Sequence, residues 1–224
     1  MATIDREAKR ELFDAFALIG KAVSSGRRVE LLDVLANGER SVDVLSEQLA
    51  LSVANTSQHL QILKQAGLVA TRRSGTSVRY RLASPEVFAF LTSLRGLAAS
   101  RLGDVDRLSR AYLGEHDGDP AITRDGLASR LGTKGLFILD VRPREEFESG
   151  HLPGAVSAPL DELTEHLRHL PKDAQIVVYC RGPFCAYSYA AVELLRKRGF
   201  RASRLESGLP EWEAGGYPTE HGTE

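Results

Sequence analysis

At 224 residues the chain is long for one domain and comfortable for two, taking ~100–200 residues per domain. Its 42% apolar and 26% charged content is that of an ordinary soluble protein able to pack cores. The opening Met-Ala-Thr-Ile-Asp-Arg-Glu does not resemble a signal peptide, and no apolar run approaches the ~18 residues of a membrane span. No membrane partner is therefore expected, and the expected compartment is the cytoplasm.

The net charge of −1 hides an asymmetry. Residues 1–112 hold 16 Lys and Arg against 12 Asp and Glu, whereas residues 113–224 hold 13 against 18. The basic excess is itself local: no acidic residue lies between Glu47 and Glu86, while Lys64, Arg72, Arg73, Arg79 and Arg81 all fall there. A solvated surface usually mixes both signs, so this window points to an anionic partner.

In chain order, residues 6–23 read as a helix with Leu12, Phe13, Phe16 and Ile19 as its apolar stripe. A second helix spans Arg27–Ala36 and stops at Asn37-Gly38; Ser41 then caps a third carrying Val44, Leu45 and Leu49. A break at Leu51-Ser52 precedes a fourth helix from Ala54 to Gln65, with Val53, Leu60 and Leu63 expected to face inward. Residues 68–73 and 77–82 alternate around Ser74-Gly75-Thr76 as a β-hairpin. Pro85 opens one long helix through Tyr112, with Phe88, Leu91, Leu94, Leu97, Leu102, Val105 and Leu108 in step. Polar, turn-rich residues 113–120 form the expected linker between a domain over 1–112 and another over 121–219, with a tail at 220–224. Past the linker the pattern changes. Leu136–Val141, Gln175–Cys180 and Arg201–Leu205 suit buried parallel strands, and Ala186–Arg198 suits a helix.

The third and fourth helices, joined by a tight turn, fit a helix-turn-helix that lays its second helix in the DNA major groove. Asn55, Thr56, Ser57, Gln58, His59, Gln61 and Lys64 would contact bases and phosphates, and Arg72, Arg73 and Arg79 near the hairpin tip would follow the neighbouring backbone. His59 also fits a half-buried helix position. The run Thr56-Ser57-Gln58-His59-Leu60-Gln61-Ile62-Leu63-Lys64-Gln65-Ala66-Gly67-Leu68-Val69 resembles the ArsR family of winged-helix repressors over about residues 8–112. The resemblance implies a mostly-α winged helix-turn-helix, a homodimer joined through its first and last helices, and a double-stranded DNA operator. Many such relatives sense metals through a Cys-x-Cys pair; here the corresponding stretch is Val42-Asp43-Val44, and no cysteine precedes Cys180. Asp104, Asp106 and His116 read as surface residues, so no metal is expected.

The two cysteines, Cys180 and Cys185, share one short loop, which suggests chemistry rather than a disulfide scaffold. A strand ending in a cysteine before a helix amino terminus is a reactive-thiol arrangement, and Arg181 places a positive charge beside it. Asp140-Val141-Arg142, Gly150-His151-Leu152-Pro153-Gly154-Ala155, Tyr179-Cys180-Arg181-Gly182 and Gly208-Leu209-Pro210-Glu211-Trp212 resemble a single rhodanese domain, an α/β fold with a mainly parallel sheet. The resemblance implies that Cys180 takes a sulfane sulfur from a donor (thiosulfate, polysulfide or persulfide) and hands it to a thiol acceptor, with no cofactor. Loop residues Arg181, Gly182, Pro183, Phe184, Cys185 and Ala186 would cradle it, and Asp140 and Arg142 would brace the pocket. Ala186 stands where a Cys-x5-Arg phosphatase loop needs arginine, so sulfur chemistry is preferred to phosphoryl transfer. Cys185 reads either as a resolving thiol or as a helix-start cysteine that packs. Together the halves suggest a sulfur-responsive repressor or, alternatively, a sulfurtransferase whose DNA-binding half serves targeting or autoregulation.

Overall fold

A computed structural model describes residues 5–75, 77–114, 121–167, 170–171 and 173–222. Thr76 of the expected hairpin turn, residues 115–120 of the expected linker (with His116), and residues 223–224 of the expected tail lie outside the described residues. The chain divides into two compact units, Met1–Leu94 and Arg95–Glu224, and the division falls earlier than the linker read from composition.

In the first unit, α1 (Arg6–Val23) starts where the Asp5 carboxylate accepts from the amides of Glu7 and Ala8. Helix α2 (Gly26–Leu35) is followed by β1 (Arg40–Ser41) and α3 (Val42–Gln48), whose first turn is capped by the Ser41 hydroxyl as its sequence suggests. Ala50, at φ 51°, turns the chain into α4 (Val53–Gln65), capped in turn by Ser52. Gly67, at φ +72°, ends that helix in the left-handed region. The hairpin β2 (Val69–Ser74) and β3 (Ser77–Leu82) follows, and β1 adds to it to give an antiparallel sheet in the order β1-β3-β2. Leu31, Leu32, Leu45, Leu60, Leu63 and Leu91 form the centre of the core, each fully buried.

Two expectations fail here. Val53 is 45% exposed rather than inward, because it occupies the first helical position and its side chain precedes the buried stripe. The long helix over 85–112 is two helices, α5 (Pro85–Arg101) and α6 (Val105–Leu113). Gly103 and Asp104, both weak helix formers, fall between them. The apolar stripe changes character along its length: Leu91 is buried, while Leu97, Leu102 and Leu108 are exposed.

In the second unit, which begins within α5 and includes α6, β4 (Ala121–Ile122) and α7 (Arg124–Ala128) lead into β5 (Leu136–Asp140), then α8 (Arg144–Ser149) and β6 (Ala155–Ser157). Helix α9 (Leu163–His166), β7 (Gln175–Tyr179), α10 (Ala186–Lys197), β8 (Arg201–Leu205) and α11 (Leu209–Ala214) complete it. The sheet is parallel throughout, in the order β4-β8-β7-β5-β6. Both faces are covered, which explains the uninterrupted apolar strands. Leu139, Ile176 and Val178 pack with Val192 and Leu195 of α10; Ile138, Val177 and Tyr179 pack on the other side with Phe147, Leu205 and Trp212. Glu220 forms an antiparallel bridge with His151, tying down the first residue of the expected tail.

Leu60→Ala is expected to destabilise the first unit by about 2–5 kcal/mol, through lost burial and the cavity left behind. Urea unfolding followed by circular dichroism checks this, with fluorescence of Trp212, the chain's one tryptophan, reporting the second unit separately.

Candidate functional site

The exposed face of α4 presents Asn55, Gln58, Gln61 and Lys64, with Ser57 and His59 half-buried at its edges. Thr56 is not among them. It is fully buried and its hydroxyl donates to the Ser52 carbonyl, so the expected DNA contact at Thr56 is corrected to a core position one turn from the cap. The Lys64 ammonium donates to the Thr71 hydroxyl at 3.2 Å. On the hairpin, Arg72 pairs with Arg79 and Arg73 with Val78, and all three arginines are exposed. Arg72 is nevertheless engaged: its Nε and Nη2 donate to the Glu39 carboxylate, with the shortest contact at 2.7 Å. That hydrogen bond, together with the positive field of Arg72, Arg81 and Arg79, lowers the Glu39 carboxyl below its ordinary range, and Arg72 is correspondingly raised. Residues before the acid-free window thus supply a carboxylate to it through the fold.

The second site lies at the carboxyl ends of β5 and β7, where open parallel sheets usually hold ligands. Asp140 and Arg142 are both buried there. The Arg142 guanidinium donates to Asp140 Oδ1 at 3.0 Å and Oδ2 at 2.6 Å, and to the Gly150 carbonyl at 2.6 Å. Burial alone would lower Arg142, but Asp140 overcomes it and the guanidinium is held above its ordinary value. Tyr179, the last residue of β7, lies under the same pair. Its ring is 5.7 Å from the Arg142 guanidinium, and its hydroxyl accepts from the Leu152 amide. Burial, then the Asp140 charge, pushes that phenol well above 10.

Cys180 follows directly. Sequence reasoning expects an accessible thiolate there. Instead Cys180 is 1% exposed and joined by a disulfide to Cys185, with their Cα atoms 6.2 Å apart. The residue continues the alternation of β7 into the core under α10, which is why its side chain is covered. Cys185 is half-buried and caps α10, and Ala186 is that helix's first residue. Phe184 and Tyr187 are exposed beside the loop. Arg181 does not face the cysteine as a bare charge either. It donates to both oxygens of buried Glu146, at 3.1 and 2.6 Å, and lies over the Tyr187 ring at 5.8 Å. A groove of about 540 Å³ opens beside Tyr187 between the loops after β5 and β6, lined also by Pro143, Arg144, Leu160 and Glu162.

Comparison with known proteins matches both halves. The model of the bacterial regulatory protein, arsR family, fits residues 25–71, and that of the rhodanese-like domain fits residues 123–215. HTH-type transcriptional regulator Rv0324 of Mycobacterium tuberculosis is 38% identical over 216 residues, covering 96% of this chain and 95% of the relative. This chain belongs to the ArsR family and carries a rhodanese-like domain. A protein named sulfurtransferase from Allochromatium vinosum is 31% identical over 99 residues, 43% of this chain and 91% of that one. The homodimeric winged helix-turn-helix domain of Mb0332 from Mycobacterium bovis is 37% identical, covering 46% of this chain and 93% of that one, with a TM-score of 0.42.

This ArsR-family regulator is thus a DNA-binding transcriptional regulator with a winged helix-turn-helix. Among its described residues, no group of three or more His, Cys, Asp or Glu could hold a metal ion, and no helix is long and apolar enough to cross a membrane. His151 and Trp212 are buried: His151 stacks on Phe147 and Trp212 donates to the Pro218 carbonyl. Sequence reasoning missed Glu146 as the partner of Arg181, Tyr179 as the floor of the Asp140–Arg142 pair, and Gly208. A Cβ on Gly208 would lie 2.4 Å from the Arg181 carbonyl carbon and the Gly182 nitrogen, so only glycine lets α11 approach the cysteine loop. Tyr179 and Gly208 sit in quoted motifs, but the motif alone does not say which partner each meets.

Asp140→Asn leaves the Arg142 charge buried without its counter-ion. An expected loss of about 3–5 kcal/mol follows for the rhodanese-like unit, read as a shift of the Trp212 fluorescence transition in urea.

Proposed function

We propose that this ArsR-family regulator is a homodimeric repressor, acting in the cytoplasm, that responds to sulfane sulfur through Cys180 and Cys185. The single observation that carries the reading is the Cys180–Cys185 bond, which puts the chain's only two cysteines within reach of each other at a strand end facing a helix amino terminus. In the reduced protein the Cys180 thiolate attacks the outer sulfur of a persulfide R–S–SH, the donor S–S bond breaks, and R–SH leaves with a proton from solvent. Cys180 then carries the persulfide. The Cys185 thiolate attacks the inner sulfur of that persulfide, hydrogen sulfide leaves, and the disulfide forms. The donor sulfur is reduced and the two thiols are oxidised, so the electrons balance. Low-molecular-weight thiols then restore the reduced state. Burial of Cys180 in the disulfide form closes the site to further donor.

DNA contact falls to Asn55, Ser57, Gln58, His59, Gln61 and Lys64 on α4, with Arg73 and Arg79 on the wing. The dimer forms through exposed apolar side chains: Leu12, Phe13 and Phe16 on α1, Leu97 on α5, Leu102 just after it, and Leu108 and Tyr112 on α6. The Arg72–Glu39 pair limits the positive charge offered to the backbone.

The sulfur chemistry is tested by intact mass after reduced protein meets polysulfide. The parent is expected to end two hydrogens lighter than its reduced form. Cys185→Ser should stop one sulfur heavier, and Cys180→Ser should do neither. In parallel, release from an operator selected out of a random duplex library should follow polysulfide in the parent and vanish in Cys180→Ser. A Cys180→Ser protein that still responds sinks the sensor reading. Sulfur delivered to cyanide with no change in DNA affinity favours instead the sulfurtransferase reading, which the Allochromatium vinosum relative supports.

Glu39→Gln frees Arg72 toward the phosphates. The slope of log affinity against log salt should steepen by about one contact, with severalfold tighter binding at low salt, measured by fluorescence anisotropy on the same operator.

A further inference from the structure

The groove beside the cysteine loop is larger than a sulfur atom needs. It holds about 540 Å³ and is walled by Pro143, Leu160 and Tyr187 over buried Val141, with Arg144 and Glu162 at its rim. Clefts of roughly 300–1,000 Å³ take drug-sized molecules, whereas a short inorganic sulfur chain fills only a small part of such a space. The groove also adjoins the cysteines. Val141 packs in the same buried cluster as Cys180, and Leu160 and Cys185 both pack against that cluster. The Val141 amide donates to the Tyr179 carbonyl at 3.2 Å, directly before Cys180. Tyr187 is the second residue of α10, two past Cys185, and Arg181 lies over its ring at 5.8 Å. The rim offers both signs of charge: the Arg144 guanidinium meets the Glu162 carboxylate at 2.8 Å, and their side chains stay 55% and 45% exposed.

Resting on the sulfur reading above, we infer that this groove is a subsite for the organic body of the donor, so that Cys180 takes its sulfur from the persulfide of a low-molecular-weight thiol in preference to inorganic polysulfide or thiosulfate. The apolar walls cover the carbon chain next to the sulfurs, and the Arg144–Glu162 pair meets amide, hydroxyl or charged groups farther out. The Cys180 thiolate bonds to the outer sulfur of R–S–SH, the S–S bond breaks, and R–S⁻ leaves and takes a proton from solvent. The groove holds R, the body of the leaving group, and so places the S–S bond for attack. Thiosulfate and inorganic polysulfide have no carbon to place there and meet the loop alone. Burying two methylene-sized groups on the walls is worth about tenfold, and the preference rests on shape and apolar contact. Leu160 and Arg144 act as specificity residues, touching the R group and neither sulfur.

The test uses full-length reduced protein in the Cys185→Ser background, where the adduct persists, and follows sulfur gain on Cys180 by mass. The donors are the persulfide of N-acetylcysteine amide and inorganic polysulfide, each rate being divided by that donor's rate with a free small thiol. The organic donor is expected to load at least tenfold faster on this scale, with a rate that saturates as its concentration rises, while the inorganic rate stays linear. Leu160→Trp fills the groove and should slow the organic donor at least tenfold, leaving the inorganic one within twofold. Arg144→Ala, an exposed change that leaves the walls in place, should raise the half-saturating concentration of the organic donor about threefold and leave the inorganic rate alone. A general loss of structure would slow both donors together. Equal normalised loading in the parent, or an unchanged ratio in both variants, overturns the inference while leaving the sulfur reading intact. Loading from neither donor overturns both.

Discussion

The rhodanese-like unit depends on one buried ion pair. Arg142 cannot stay in the core as a charge unless Asp140 meets it, and Asp140 cannot stay ionised there without Arg142. Because the Asp140 carboxylate also accepts from the Arg142 amide, the chain turns sharply where β5 ends. The same guanidinium grips the Gly150 carbonyl, fixing the turn after α8, which in turn presents Leu152 to the Tyr179 hydroxyl. Tyr179 is the residue before Cys180, so the position of the first cysteine is set by a network of charge and hydrogen bonds beneath it rather than by the loop itself. A loop carrying Gly182 and Pro183 has little means of fixing its own geometry; the strand ends supply it.

Above that floor the loop is held from two sides. Glu146 comes from α8, the short helix that follows the ion pair, and Gly208 brings the start of α11 against the Arg181–Gly182 peptide. The loop thus joins three elements that are remote in sequence. A change of bonding at Cys180 moves a residue that is packed under α10 and flanked by both supports, and close-packed interiors pass on such shifts rather than absorb them. This would give the proposed two-cysteine chemistry a mechanical outlet within the unit.

Much of the fold was legible in the sequence because the strongest signals are local. The cap at Ser41, the 3.6-residue spacing of Leu60 and Leu63, the alternation of residues 69–82 and the apolar runs of β5 and β7 each follow from backbone geometry and solvent exclusion. What escaped was short or non-local. Strands β1, β4 and β6 have two or three residues, too few for a period to show, and exist because a neighbouring strand offers its edge. The helix break at Gly103-Asp104 was hidden by a stripe that stays in step across it. Thr56 reads as a polar groove residue by type, but a helix cap brings its hydroxyl back to Ser52 and lets it be buried. The covered state of Cys180 was also out of reach, since the sequence identifies a strand end but not which face the last side chain takes.

Charge was the property least readable from the chain alone. A window without acids seemed to offer five free cations, yet Glu39, just before β1, meets Arg72 from outside it. The loop arginine seemed to stand beside the cysteine, yet a helix 35 positions earlier neutralises it. In both cases the partner is supplied by tertiary structure, and in both the consequence is opposite to the naive one. An arginine on the wing binds phosphate less well when it is already paired, and an arginine in the loop draws anions less well. Paired charges trade affinity for selectivity, because a ligand must then be recognised by its shape and its hydrogen bonds rather than by its net charge. For the sulfur-responsive regulator proposed above, that trade lies in the right direction: a bare cation beside the cysteine would gather sulfate and phosphate as readily as any donor, and the thiol would face ligands with no sulfur to give.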